Sequence, residues 1–113
     1  MATLIDIIYD ENDPSSASFV PTEEHVNING VVHGGVLFFL CDDLIGHYVT
    51  AQGLKGAAAD SNMHFYRPAT VGKRLTARVN ERKTGKRLGT YLIDIKDEDG
   101  RLIADVMFTV AFL

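Results

Sequence analysis

The segment from Gly34 to about Ala51, GGVLFFLCDDLIGHYVTA, limits the fold more than any other part of this chain. It holds no proline, and its apolar residues fall on nearly every face instead of along one stripe, a pattern that predicts a helix buried all round. The rest of the chain reads as strands. Leu4 to Tyr9 and Ser18 to Val20 read as short strands separated by the turn-rich ENDPSS, and TEEHVNING reads as a loop leading into the helix. After the helix, Ala59 to Tyr66 runs extended up to Arg67-Pro68, whose proline disfavours helical geometry in the residue before it. Leu75, Ala77 and Val79 alternate with Thr76, Arg78 and Asn80, the period of a half-buried strand. KTGK reverses the chain into a strand over Arg87 to Lys96, Asp99-Gly100 marks a hairpin turn, and Leu102 to Phe112 closes as a strand largely apolar on both faces. One buried helix followed by an antiparallel meander of four strands predicts an α+β fold: a curved antiparallel sheet wrapped around one long helix, with the N-terminal strands completing it. An ordinary two-layer α+β sandwich has the same periodicities and stays open at this level.

No Pro-rich or Ser-rich tract in the 113 residues is long enough to be a linker, so residues 1–113 are expected to form a single domain. A domain of this size buries only about two-thirds of the surface its unfolded chain exposes, which favours self-association. Its 11 basic and 15 acidic residues give a formal charge of -4, so nucleic acid is not an expected partner. Yet Lys73, Arg74, Arg78, Arg82, Lys83, Lys86 and Arg87 crowd into one stretch, which is either a solvated hairpin or a local phosphate site. The single cysteine, Cys41, cannot form an internal disulfide, and MATLIDIIYDEND lacks the basic start and apolar core of a signal peptide, so a cytoplasmic location is expected. The most apolar window, Val31 to Val49, contains His33, Asp42, Asp43 and His47, a poor membrane span, and no membrane partner is expected.

Two features of the helix bear on chemistry. At its start, Val31-Val32-His33-Gly34-Gly35 places consecutive glycines where backbone N–H groups have no intrahelical acceptor and sit at the positive end of the helix dipole. Such donors suit a carbonyl oxygen that gains negative charge in a transition state, although glycines also simply turn tight corners. Further along, Asp42 has Phe38, Ile45 and Val49 as its helical neighbours, a carboxylate set in an apolar stripe. Such an acid is either bonded to a buried donor or held at a raised pKa for general-base work, and the second reading leads here. Asp43 faces Phe39, Gly46 and His47 and is the one expected to be solvated or paired. Gly34 and Asp42 are separated by roughly 12 Å along the helix axis, too far to touch one carbonyl. Two copies of the helix lying antiparallel across a two-fold axis would bring Asp42 of one chain opposite Gly34 of the other and create two equivalent sites. Cys41 lacks a histidine at helical contact spacing, and His25, His33, His47 and His64 lack metal-ligand spacing, so neither a Cys-His nucleophile nor a metal site is expected.

From about Asn27 to its end, the sequence resembles the hotdog-fold thioesterases of the phenylacetate-pathway, PaaI-like type. Asn27, Gly30, His33, Gly34, Gly35, Phe38, Leu40, Cys41 and Asp42 meet the family's pattern, as do Asn62 to Phe65, Arg67-Pro68-Ala69 and Gly72. The resemblance implies a hotdog fold and hydrolysis of an acyl-CoA ester, short-chain or aromatic, to free acid and CoA, with no cofactor beyond the CoA carried by the substrate. It implies that Asp42 acts as general base or nucleophile, that the Gly34 N–H, beside Gly35, polarises the thioester carbonyl, that Asn27 positions water or the carbonyl, and that His33 orients. The CoA phosphates would lie near Arg82, Lys83, Lys86 and Arg87. In some relatives a hydroxyl on the strand after the helix holds the attacking water; here that place falls on Ala58, and the role is vacant or passes to Ser61 or to water. The expected assembly is a homodimer with shared sites, associating further to a tetramer. Two other readings stay beside this one: a hotdog acyl-thioester dehydratase or hydratase, for which the His-Phe-Pro-Gly segment is missing, and a non-catalytic acyl-CoA-binding protein, against which Asp42 counts.

Overall fold

The computed structural model describes residues 5–113. Strand β1 (Ile8–Asp10) and β2 (Asp13–Phe19) precede a 3-10 turn (Glu23–His25) and helix α1 (Gly34–Ala51). Then follow β3 (Gly56–Phe65), β4 (Leu75–Thr84), β5 (Leu88–Asp97) and β6 (Leu102–Phe112). The six strands form one sheet in the order β1-β2-β4-β5-β6-β3, each neighbour antiparallel to the next. The predicted curved sheet around one helix is therefore present.

The four-strand meander needs correction. β4, β5 and β6 follow one another as hairpins, but β3 pairs with β6, so the chain crosses from one edge of the sheet to its middle before β4 begins. Alternation identifies a strand without naming its neighbour, and this crossing leaves β1 and β3 as the two edges. Asp13 to Ser16, expected in a turn, begin β2 instead. Pro14 fits there because the pairing of β2 with β4 starts only at Ser16, so the missing N–H removes no bond from that ladder. Likewise β3 starts at Gly56 rather than Ala59, and a Cβ at Gly56 would meet Val110 Cγ1 at 2.5 Å. Leu4 lies outside the described residues, and the strand expected from it is observed from Ile8.

The concave face of the sheet closes on α1. Leu37, Leu40, Cys41 and Leu44 of the helix are buried with Phe19, Leu75, Tyr91, Ile93, Ile95, Val106 and Phe108 of the strands. Each such fully buried large side chain contributes about 1.5–3 kcal/mol of transfer free energy. The helix is not buried all round in the single chain, however. Gly35, Asp42, Asp43, Gly46, His47 and Thr50 form an open strip, because the two edges of the sheet reach the helix from either side without meeting. From the β1 side, the Tyr9 hydroxyl donates to Asp43 and the Tyr9 ring stacks on His47 with centroids 4.1 Å apart. On the β3 side, Phe65 lies beside Gly34, and Gly56 to Ala58 lie beside Val49.

Candidate active site

His33 is the N-cap of α1, and its carbonyl accepts from the N–H groups of Val36 (3.0 Å) and Leu37 (3.3 Å). The N–H groups of Gly34 and Gly35 have no acceptor among the described residues. The loop before them is tied together by Asn27. Its backbone N–H donates to the Val31 carbonyl (2.8 Å), and its side-chain oxygen accepts from the N–H of Asn29 (2.9 Å) and Val31 (3.3 Å). With that oxygen engaged, the free polar group of the Asn27 side chain is its NH2, a donor.

Asn27 and Gly34 line one cavity of about 410 Å³, with Leu37, Phe65 and Arg67. A Cβ on residue 34 would come within 3.0 Å of Phe65 Cζ, so the Phe65 ring lies directly over Gly34. Gly35 has nothing within 4 Å of a would-be Cβ and opens on a different cavity, shared with Glu24, His25 and His33. The His33 side chain is thus turned away from the Gly34 cavity, and it makes no capping bond.

Asp42 lies two turns along the helix. Its carboxylate receives no hydrogen bond among the described residues, and it lines two cavities. One, of about 260 Å³, is walled by Ile45, Gly46, Val49, Gly56, Ala57, Ala58 and Val110. The other, on the open strip, includes Tyr9, Asp43, Gly46, His47 and Thr50. Burial, and then the neighbouring charge of Asp43, hold the Asp42 carboxyl above its ordinary range. Asp43 itself is paired, as expected, by the Tyr9 hydroxyl, whose own pKa burial and that bond push far up. Cys41 is buried, and burial raises its thiol, leaving it inert.

The structure therefore brings Gly34 together with Asn27, and Asp42 with Ala58, but does not bring the two pairs together within one chain. Ser61 is opposite Phe108 in β6 and lines neither cavity of Asp42. Arg82, Lys83, Lys86 and Arg87 lie at the exposed tip of the β4–β5 hairpin, without ion-pair partners among the described residues. That tip belongs to the Asp42 end of the molecule: the Arg87 carbonyl accepts from the N–H of Phe112 (2.9 Å), which pairs with Gly56 at the mouth of the small cavity.

Residues 29–104 match the thioesterase superfamily. This chain belongs to that superfamily. Acyl-coenzyme A thioesterase PaaI of Escherichia coli is 32% identical over 100 residues, spanning 88% of this chain and 71% of PaaI. Human acyl-coenzyme A thioesterase 13 is 32% identical over 85 residues, 73% of this chain and 61% of that protein. The solved structure of E. coli PaaI superposes with a TM-score of 0.86 at 31% identity, covering 96% of this chain and 79% of that one. A hypothetical thioesterase from Streptococcus pneumoniae, solved with coenzyme A, gives a TM-score of 0.90 at 23% identity over 96% of this chain and 86% of its own, a likeness of fold. The thioesterase is thus a PaaI-like hotdog protein, and the flat two-layer alternative is set aside.

Three residues beside these cavities or the basic hairpin are not among the site residues expected from the sequence. Phe65 covers Gly34, and Arg67, with no ion-pair partner among the described residues, lines the same cavity. Lys55, exposed, lies at the same end of the chain as the basic hairpin, since its carbonyl accepts from the N–H of Leu113 (2.8 Å) and the Arg87 carbonyl accepts from that of Phe112 (2.9 Å). Phe65 ends β3 and Arg67 follows it, and the pairing of β3 with β6 sets where both stand relative to α1. No helix among the described residues is long and apolar enough to cross a membrane.

Proposed function

We propose that this protein hydrolyses acyl-CoA at two equivalent sites, each built from the helix start of one copy and Asp42 of another. One observation carries this reading: the free N–H groups at Gly34 and the unbonded carboxylate of Asp42 open into separate cavities of the same chain. Strand β3 supports it. It is an edge strand of 10 residues, exposed along nearly its whole length, and pairing with a second copy would bury an edge that otherwise invites indiscriminate association. In the shared site, the Gly34 N–H takes the thioester oxygen and the Asn27 NH2 donates to the carbonyl or to water. Asp42 of the other copy then either draws the proton from a water that attacks the carbonyl, expelling the CoA thiolate, or attacks the carbonyl itself, expelling the thiolate and leaving an acyl anhydride that water cleaves to the free acid and the Asp42 carboxylate. His33 shapes the helix entry through its carbonyl. The phosphates lie against Arg82, Lys83, Lys86 and Arg87 at the Asp42 end, and further association of dimers completes the particle. We place the protein in the cytosol, where its single free cysteine stays reduced.

Mixing two inactive chains tests the shared site. Asp42→Asn and Gly34→Pro should each be inactive alone; proline removes the N–H at a position of the helix that tolerates it, while Phe65, exposed, must rotate away. After random exchange, about half the dimers are mixed and each of these has one intact site, so thiol release should recover to roughly a quarter of wild type. Verified heterodimers that stay inactive, or a stable monomer that turns over, would overturn the shared site.

A further inference from the structure

We infer that strand β3 pairs antiparallel with β3 of a second copy in one register, with Asn62 on the two-fold axis and Asp60 of each copy facing His64 of the other. The inference rests on the shared-site reading above and adds the contacts that hold the two halves of each site in line. Directly opposed residues of neighbouring strands share a face of the sheet, so the pairing with β6 sorts β3 into two rows. Ala58, Ser61, Met63 and Phe65 stand opposite buried residues of β6, on the concave side. Asp60, Asn62 and His64 stand opposite the half-buried Thr109, Met107 and Asp105, on the convex side. Ala59, at the shift in register between Ala58 and Asp60, is the extra residue of a bulge.

Two independent observations select the register, the first being the site itself. Phe65 lies over Gly34, and Ala58 lines a cavity with Asp42, so setting Gly34 opposite Asp42 of the other copy sets Phe65 opposite its Ala58. Counting inwards past the bulge then pairs His64 with Asp60, Met63 with Ser61, and Asn62 with its own counterpart. Every pair joins residues of one face, as a sheet buried on one side requires. The second observation is charge. Asp60 is exposed and has no ion-pair partner among the described residues. His64 is held against its own sheet, with Nδ1 3.9 Å from Asp105 Oδ1 and its ring stacked on Tyr66 at 6.3 Å, so Nε2 is the nitrogen left for a second copy. A slip of two residues is the smallest that keeps the faces matched. It would set Asn62 opposite Asp60 or opposite His64, leave the charges unmatched, and carry Gly34 roughly 7 Å away from Asp42 of the other copy. Asparagine suits the axis, because its amide both donates and accepts and so complements itself.

Mixing two charge variants reads the register. In an Asp60→Lys homodimer, lysine faces histidine at both ends of the seam, and in a His64→Glu homodimer two carboxylates face each other. The heterodimer sets the introduced lysine against the introduced glutamate at one end and the native Asp60 against the native His64 at the other. After exchange at low salt, native mass spectrometry should find about nine-tenths heterodimer in place of the random half, and the excess should shrink as salt rises. Effects within a chain, such as an acid placed beside Asp105, are present in homodimers and heterodimers alike and cancel. A second measurement needs no charge. Oxidation of Asn62→Cys should give a covalent dimer, since directly opposed residues stand about 4.5–5.5 Å apart, within reach of a disulfide. Ser61→Cys and Met63→Cys, each roughly 7–8 Å from its own counterpart, should not cross-link. Cys41 is buried and does not compete. A heterodimer fraction near one-half, a cross-link at Ser61→Cys or Met63→Cys instead of Asn62→Cys, or a protein that sediments as a monomer would overturn the register. Neither measurement uses turnover, so failure of the hydrolase reading shows separately, as absence of thiol release from acyl-CoA.

Discussion

Asp42 and Asp43 are adjacent in sequence and lie on the open strip of one helix, yet their surroundings differ. Asp43 turns to β1, where the Tyr9 hydroxyl donates to it and the Tyr9 ring is itself held against His47. Asp42 lines, besides the cavity it shares with Tyr9 and Asp43, one walled by Gly56, Ala57, Ala58 and Val110, and nothing among the described residues donates to it. The first carboxylate is satisfied by the fold. The second is held in a partly apolar place at a raised pKa, a cost that folding alone does not explain. Two identical side chains one residue apart thus differ in what surrounds them: one is satisfied by the fold, and the other has no donor among the described residues.

The sharpest test of this contrast is substitution of each acid by its amide. Asp42→Asn keeps the size but can neither take a proton nor attack, and thiol release should fall about 10²- to 10⁴-fold with CoA affinity retained. Asp43→Asn, whose oxygen still accepts from Tyr9, should stay within a few-fold of wild type. Equal losses at both positions would erase the distinction. The raised pKa of Asp42 also sets a sign for stability. The folded state binds its proton more readily than the unfolded state, so stability is lost as pH rises from the ordinary carboxylate range through the folded pKa. Asp42→Asn should therefore leave the melting temperature at neutral pH unchanged or raise it.

The same division runs through the basic stretch. Lys73 pairs with Asp99 at 2.7 Å, Arg78 with Asp13 at 3.1 Å, and Arg74 donates to the Ser18 hydroxyl at 3.0 Å. Those cations belong to the fold, whereas Arg82, Lys83, Lys86 and Arg87 at the hairpin tip have no ion-pair partner among the described residues. Replacing Lys83 and Lys86 by Ala should raise KM for acyl-CoA about tenfold, leave a pantetheine thioester nearly unaffected, and lose its effect as salt rises. An identical change in KM for both substrates would place the nucleotide elsewhere.

Much of this arrangement was legible in the sequence, for identifiable reasons. The helix was read to its observed ends because glycines open it and no proline interrupts it, and β6 because its apolar run is bounded by Asp99-Gly100. Asp42 could be picked out by its apolar neighbours, and its separation from Gly34 is simple helical geometry. The open strip of α1 was not legible: Phe39, Tyr48 and Ala51 make the pattern look apolar all round, while the place where each sheet edge stops depends on pairing between distant strands. Nor was the β3–β6 neighbourhood legible, because period-2 alternation is the same whichever strand lies alongside. The Phe65 ring over Gly34 and the cavity at Ala58 both follow from that one pairing.

The smallest expected effect, a shift in pH dependence, probes whether the two acids communicate. Two causes raise the Asp42 pKa: burial first, and the negative charge of Asp43 second. If Asp42 must be ionised to act, the acid limb of kcat/KM follows its pKa and lies above that of a free carboxylate. Asp43→Asn removes the like charge and leaves the burial, so the limb should move to lower pH and still stay above the ordinary range. Tyr9→Phe removes a donor from Asp43 without changing its charge, and should leave the limb where it is in wild type. His33 opens on another cavity, so His33→Ala should also leave it in place. A limb that follows His33, or one that moves to higher pH in Asp43→Asn, would show that a group other than the Asp42 carboxylate governs the reaction.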